Sequence, residues 1–323
     1  MFGSTGLSGI VAAPSIAAQR PKLAPDSLVI TPLRWTRFTL RDWNNSEVTS
    51  LVLGSAQWGE AYGLTNARGR LSDDDLREIV DMARARSVTA VDTAPGYGDA
   101  ESRLRPFASD FAITTKVNGA GEVTASIEAS LTNLQVTALE AVLVHDWESL
   151  NAEQQLHAAR ELSAAVESGL VRRVGASVYG ADGIEAARDA FDSAQGFLGA
   201  LQVPANPIDR RLDGSESLQE LRDAGTHITV RSAFLQGVLL ADSARWSSHP
   251  DVRAFQDYAA GTAGLEACLG HVRGLPWATH VVIGVTSAAE LVEVCDAWQE
   301  CESGLLPARL GSTDLDLIDP RRW

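Results

Sequence analysis

Val88-Thr89-Ala90-Val91-Asp92-Thr93-Ala94-Pro95-Gly96-Tyr97-Gly98 is an apolar run that stops on a carboxylate and opens into a turn carrying a tyrosine. Short apolar runs bounded by turn residues read as buried strands. The figure recurs downstream, where Phe111-Ala112-Ile113-Thr114-Thr115 ends on Lys116 and Leu139-Glu140-Ala141-Val142-Leu143-Val144 ends on His145. Working outward, strand candidates fall at 51–54, 88–92, 111–116, 139–144, 171–176, 198–203, 227–231 and 279–284. Helical periodicity fills 72–86, 122–134, 152–168, 182–193, 214–224 and 287–298, with a short helix expected in 99–107 and a longer one in 252–270. Ser72 followed by Asp73, Asp74 and Asp75 reads as a helix N-cap with an acidic first turn. Gly169 and Gly225 stand where helices should stop. Eight near-continuous apolar strands, each followed by a helix, predict an α/β chain folded as a (β/α)8 TIM barrel. An open doubly wound sheet alternates too, but it favours a glycine-rich turn after its first strand, and Gly54-Ser55-Ala56-Gln57-Trp58-Gly59 is not GxGxxG.

Four segments follow from this reading. Residues 1–26, small and aperiodic, are expected to be a disordered tail, and 27–49 a hairpin-like N-terminal segment. The barrel spans 50–298, and 299–323 form a short C-terminal tail. Residues 8–18 resemble a signal-peptide core only faintly, because no Lys or Arg precedes them and Pro14 interrupts them. The 323 residues carry 27 Lys and Arg against 42 Asp and Glu, a formal net charge of −15. Such a balance argues against nucleic acid and anionic membranes as partners. It does not exclude an anionic cofactor held by loop amides. No apolar run reaches 18 residues, so no membrane span is expected. Cys268, Cys295 and Cys301, odd in number and without a CxxC pair, suit a reducing cytoplasm.

In a barrel the carboxyl ends of the strands face the active site. Asp92, Lys116 and His145 end consecutive strands, and Tyr97 lies in the loop after the second, so four polar groups are brought to one rim. A lysine ammonium beside a tyrosine favours its phenolate, and a carboxylate keeps that ammonium charged and oriented. Histidine shares a proton or donates to a carbonyl oxygen. The set suits carbonyl reduction or alcohol oxidation, but none of its members carries a hydride, which a nicotinamide cofactor must supply.

These segments, together with Gly175-Ala176-Ser177-Val178-Tyr179, Leu201-Gln202-Val203-Pro204-Ala205-Asn206 and Val282-Ile283-Gly284-Val285, resemble the aldo-keto reductase superfamily over roughly residues 50–298. The resemblance implies Tyr97 as general acid, Lys116 and Asp92 as its tuning pair, and His145 as the group that orients the carbonyl. It implies a cofactor cradle of Gly54, Ser55, Asp92, Ser177 and Gln202, with Ser177 and Gln202 on the nicotinamide carboxamide. Arg231, Ser232, Phe234 and Gly237 after strand seven, and Gly284, Thr286, Ser287 and Glu290 after strand eight, would hold the pyrophosphate and adenosine. Three departures stand out. Val178 replaces the family's common asparagine, Arg231 stands where many members stack a tyrosine, and Glu290 lies where a basic residue often meets a 2′-phosphate. NADP(H) is the family default, and Glu290 leaves NAD(H) open.

Trp58, Tyr62 and Trp147 are candidate walls of a substrate pocket, or simply loop packing. Asn206 either faces the pocket or starts a turn, and Trp246 lies in a polar 241–251 segment, a lid or a plain loop. His157, His249 and His271 have no partner at metal-ligand spacing, so no metal site is expected. The expected partner is a small carbonyl or alcohol substrate. Competing readings are a Schiff-base aldolase using Lys116, a non-catalytic cofactor-binding barrel, and a redox-neutral isomerase.

Overall fold

The computed structural model describes residues 49–323 apart from 242–244, 247 and 262. The tail expected over 1–26 and, but for Thr49, the hairpin over 27–49 lie outside the described residues, as do parts of the 241–251 segment. The strands are β1 (Ser50–Gly54), β2 (Ala90–Asp92), β3 (Ala112–Val117), β4 (Leu139–Val144), β5 (Val171–Ser177), β6 (Ala200–Pro204), β7 (His227–Arg231) and β8 (His280–Ile283). They close into a barrel in sequence order, every neighbour parallel, with β1 completing the ring against β8. The helices are α1 (Ala56–Gly59), α2 (Asp73–Ala85), α3 (Ala100–Leu104), α4 (Val123–Leu134), α5 (Ala152–Glu167), α6 (Ala181–Ser193), α7 (Glu216–Asp223), α8 (Pro250–Ala259), α9 (Gly264–Arg273), α10 (Ala288–Glu300) and α11 (Leu315–Ile318). No helix among the described residues is long and apolar enough to cross a membrane.

The capping chemistry read from the sequence operates as written. Ser72 Oγ accepts from Asp75 N at 3.1 Å, and the Asp75 carboxylate accepts from Ser72 N at 3.2 Å. This reciprocal pair satisfies amides that the first turn of α2 leaves open. Gly169 and Gly225, at φ +76° and +100°, turn the chain out of α5 and α7. Two expectations need correction. The helix expected over 252–270 is two helices, α8 and α9, since Gly261 and Gly264 fall at the break and weaken helical continuity. The helix in 99–107 stops at Leu104 and tightens into a 3-10 turn over Arg105–Asp110, because Pro106 has no amide to continue the α-helical ladder.

At the amino ends of β7 and β8, His227 and His280 stack with ring centroids 5.3 Å apart. Burial, followed by the charges of Arg173, His280 and Arg172, lowers His227 to about 3. Burial and then Arg173 lower His280 to about 4. Both are therefore neutral in the folded protein, whereas the unfolded chain takes up protons below about pH 6.5. The stability they contribute is present above pH 6.5 and is lost as pH falls towards 4. At pH 5 the loss from the buried His280 alone is about 2 kcal/mol. Calorimetry at pH 7.5 and 5.0 should show a lower Tm in acid, with His280→Gln flattening the dependence. A pH-independent Tm would rule the pair out.

Candidate active site

Strand alternation decides which side chains face the barrel interior. Val91, Val117, Val144, Ala176, Val203, Val230 and Ile283 belong to the core beneath the helices. Their chain neighbours Asp92, Lys116, His145, Ser177, Gln202, Arg231 and Gly284 therefore take the opposite parity and gather inside the carboxyl-end mouth. The register places Gly54 beside Asp92 and Ser177 beside Gln202.

Lys116 is 1 % exposed, and its Nζ donates to Asp92 Oδ1 at 2.6 Å and to the Thr93 carbonyl at 3.1 Å. The other oxygen of Asp92 accepts from Gln202 Nε2 at 2.8 Å. Asp92 thus orients two side chains at once, and one amide N–H of Gln202 is committed to it. Lys116 Nζ lies 5.0 Å from the centre of the Tyr97 ring, and the Tyr97 and His145 rings meet edge to face at 5.7 Å. The four groups form one cluster.

Their protonation follows from the surroundings. Burial would lower Lys116, but Asp92 and Tyr97 outweigh it and raise its ammonium above the usual range. Burial is the largest influence on Tyr97 and pushes its phenol up; Lys116 pulls downward without overcoming this, and Asp92 adds to the rise. The ammonium alone would favour phenolate, so burial reverses the direction expected from sequence. Desolvation of its ring, then the Lys116 charge, lowers His145 to about 4, although the residue as a whole opens to solvent. At neutral pH the cluster holds a protonated phenol, a charged lysine and a neutral imidazole.

Tyr97 is placed by a contact that the sequence reading missed. A Cβ on Gly59 would run into the Tyr97 carbonyl oxygen, and one on Gly98 would meet the carbonyl of Gly59. Gly98 also takes φ +58°, a left-handed conformation that costs glycine least. The loops after β1 and β2 therefore touch backbone to backbone, and this fixes the tyrosine over the mouth. The signal was the glycine immediately after Tyr97, matched by Gly59.

The cradle residues lie around the same mouth. Ser55 and Thr93 are fully buried, and their hydroxyl oxygens have no hydrogen-bond partner among the described residues. Buried polar atoms of this kind are where a ligand's polar groups are accommodated. After β7, Ser232, Leu235, Gln236 and Gly237 all take positive φ, a concentration of backbone strain typical of ligand-holding loops. Phe234 lies within this loop. Ser287 caps α10 by accepting from Glu290 N at 3.2 Å, while the Glu290 carboxylate accepts from Thr286 N at 2.6 Å and Thr286 Oγ1 at 2.8 Å. These features, which follow β1, β2, β7 and β8, fit a nicotinamide dinucleotide lying across the mouth.

The three aromatic wall candidates separate. Trp58 and Trp147 are fully buried, Trp147 stacking on Phe191 at 6.2 Å. Tyr62 is 40 % exposed, and desolvation with the nearby Tyr97 pushes its phenol up to about 12. Of the three, Tyr62 is the one that reaches the open rim. Asn206 Oδ1 accepts from Ile208 N and Asp209 N, which is a turn, and its Nδ2 donates to the Ser232 carbonyl at 3.1 Å, tying that turn to the strained loop.

The C-terminal tail is ordered against this rim. Glu148 Oε1 accepts from Tyr179 N at 2.8 Å and Gly180 N at 3.3 Å, and its Oε2 accepts from Arg321 Nη1 at 2.7 Å. Arg321 lies 3.6 Å from the Tyr179 ring centre and Arg231 lies 3.9 Å from it. Two guanidinium groups this near one centroid must occupy opposite faces. Trp323 packs against Trp246 at 5.9 Å.

The aldo/keto reductase family model matches residues 50–300. Over 306 residues the chain is 26% identical to D-arabinose 1-dehydrogenase of Saccharomyces cerevisiae, covering 85% of this chain and 89% of that protein. A structure of a Pseudomonas aeruginosa protein assigned to the aldo-keto reductases superposes with a TM-score of 0.61 at 21% identity, over 83% of this chain and 99% of that one. A second structure from that organism, also of a protein assigned to the aldo-keto reductases, gives 0.60 at 21% identity, over 79% and 90%. These two likenesses concern the fold.

Proposed function

The chain belongs to the aldo/keto reductase family, and from that premise we propose that it reduces an aldehyde or ketone to an alcohol with Tyr97 as general acid. Family membership makes it an oxidoreductase of nicotinamide-dependent carbonyl chemistry. The observation that carries the finer assignment is the Tyr97–Lys116–Asp92–His145 cluster, with its phenol protonated and its lysine charged. When bound, the nicotinamide supplies the hydride. Tyr97 gives its proton to the carbonyl oxygen, and the Lys116 ammonium compensates the negative charge that develops on the phenol oxygen. Asp92 holds that ammonium in place. His145, neutral at working pH, orients the same oxygen by donating an N–H. Ser177 and Gln202 are the proposed carboxamide partners, and Tyr62 borders the substrate.

A small sugar carbonyl is the favoured substrate, on the likeness to a yeast pentose dehydrogenase. A Schiff-base aldolase is disfavoured because Asp92 keeps Lys116 protonated, whereas that chemistry needs a neutral amine. Aldehyde-dependent consumption of NADH or NADPH by purified protein tests the proposal. Borohydride trapping on Lys116 without cofactor consumption would sink it.

Cofactor choice turns on Glu290. Its carboxylate closes over the entrance to α10, where it would repel a 2′-phosphate and accept from a ribose hydroxyl. Glu290→Gln is expected to raise NADPH affinity relative to NADH by about tenfold, the effect of removing roughly 1.4 kcal/mol of like-charge repulsion. Tryptophan fluorescence titration with each cofactor reads this directly, and an unchanged ratio would remove Glu290 from the cofactor site.

A further inference from the structure

We propose that Arg231 binds an anionic group of the substrate, so that the carbonyl compound this protein takes carries a carboxylate or a phosphate. This rests on the oxidoreductase reading above and names the substrate class of the same site. Arg231 ends β7 in inward parity, beside Pro204 of β6. Its Nη2 nevertheless donates to the Val178 carbonyl at 3.2 Å, in the loop after β5. The side chain therefore crosses over β6 and lies along the mouth of the barrel, with Cζ over the Tyr179 ring at 3.9 Å.

Among the described residues no carboxylate lies within ion-pair distance of Arg231. The acids of the same rim are engaged elsewhere. Asp92 is held by Lys116 and Gln202. Asp209 is bidentate with Arg211, both bonds at 2.8 Å. Glu148 and Asp319 are taken by Arg321. Apart from Val178, the one polar contact Arg231 makes among the described residues is a long 3.5 Å approach to Ser232 Oγ. A guanidinium has five N–H donors in a planar fork that matches a carboxylate or phosphate, so most of its donor capacity is uncommitted among the described residues. Arg321 on the far face of Tyr179 adds a second positive charge without competing for the anion. The Arg231 charge also acts on Tyr97 and His145, favouring loss of their protons, which puts it within electrostatic reach of the carbonyl site.

The test compares matched aldehydes, 4-carboxybenzaldehyde against 4-carbamoylbenzaldehyde and glyceraldehyde 3-phosphate against glyceraldehyde, with wild type, Arg231→Met and Arg231→Lys. In wild type kcat/KM should favour the anionic member of at least one pair by about tenfold or more. In Arg231→Met that preference should fall to within about threefold of parity, and Arg231→Lys should recover part of it, which also controls for misfolding. NADH and NADPH affinities, read by fluorescence on the same variants, report separately on the cofactor contact that the family resemblance implies for Arg231. Calorimetric titration with 4-carbamoylbenzoate and with inorganic phosphate supplies a readout that needs no turnover. Arg231-dependent binding without reduction of any aldehyde would keep the anion site and remove the oxidoreductase reading. Reduction of the neutral aldehydes with no anionic preference would keep that reading and overturn this proposal. Loss of cofactor affinity in Arg231→Met with unchanged substrate ratios would assign the anion to the cofactor and likewise overturn it. Absence of both turnover and anion binding overturns it as well.

Discussion

Tyr97→Phe should lower kcat for aldehyde reduction by about 10²- to 10⁴-fold, the usual range for removing a positioned general acid. The substitution deletes one hydroxyl and leaves the ring against His145 and beneath Lys116. Cofactor affinity should therefore change by no more than a few-fold, and fluorescence quenching by NADH or NADPH checks this. The loss should appear in kcat and in kcat/KM together, because the proton is given in the transition state rather than on binding. In wild type, burial holds the phenol protonated well past neutrality, so the reductive rate should stay level from pH 6 to 9. A variant with wild-type turnover would transfer the acid role to another group.

Lys116→Met should be the most destabilising single change in the site. The lysine is among the largest fully buried side chains, and its salt bridge to Asp92 is 2.6 Å long. Removing it leaves the Asp92 carboxylate buried with Gln202 as its remaining side-chain partner. Breaking a buried pair in this way costs about 3–5 kcal/mol, which for a chain of this size lowers Tm by about 10 °C. Much of that cost belongs to the orphaned carboxylate, so Asp92→Asn added to Lys116→Met should restore part of the stability. It should restore none of the activity, because the phenol oxygen still lacks its cation. Chemical denaturation of the single and double variants separates the two effects. A Lys116→Met protein as stable as wild type would mean that water reaches the pair.

The barrel was legible because its strands are short apolar runs ending on chemistry-bearing residues, and a parallel barrel needs both features. Asp92, Lys116 and His145 could be placed on one rim from chain order alone. Strand parity, once the outer core is known, adds Ser177, Gln202 and Arg231 to the same ring. Other features were out of reach. Trp147 follows a strand end as a wall residue would, but it packs outward on Phe191, a direction that periodicity in a loop does not encode. The direction of the Tyr97 shift depended on burial outweighing Lys116, and spacing carries no measure of burial. The docking of the C-terminal tail was out of reach because its partners lie far away in sequence: Glu148, Tyr179 and Trp246.

The backbone contact between Gly59 and Gly98 bears on how such an enzyme can be remodelled. Loops at a barrel mouth are usually treated as interchangeable parts, exchanged one at a time to change specificity. Here the first and second loops share a seam with no side chain in it, so each is the template for the other's course. A graft that replaces one alone carries its own curvature into a gap only a bare backbone can fill, and the acid residue would shift with it. Transplanted as a matched pair, the two loops should bring both a new pocket wall and a correctly aimed Tyr97.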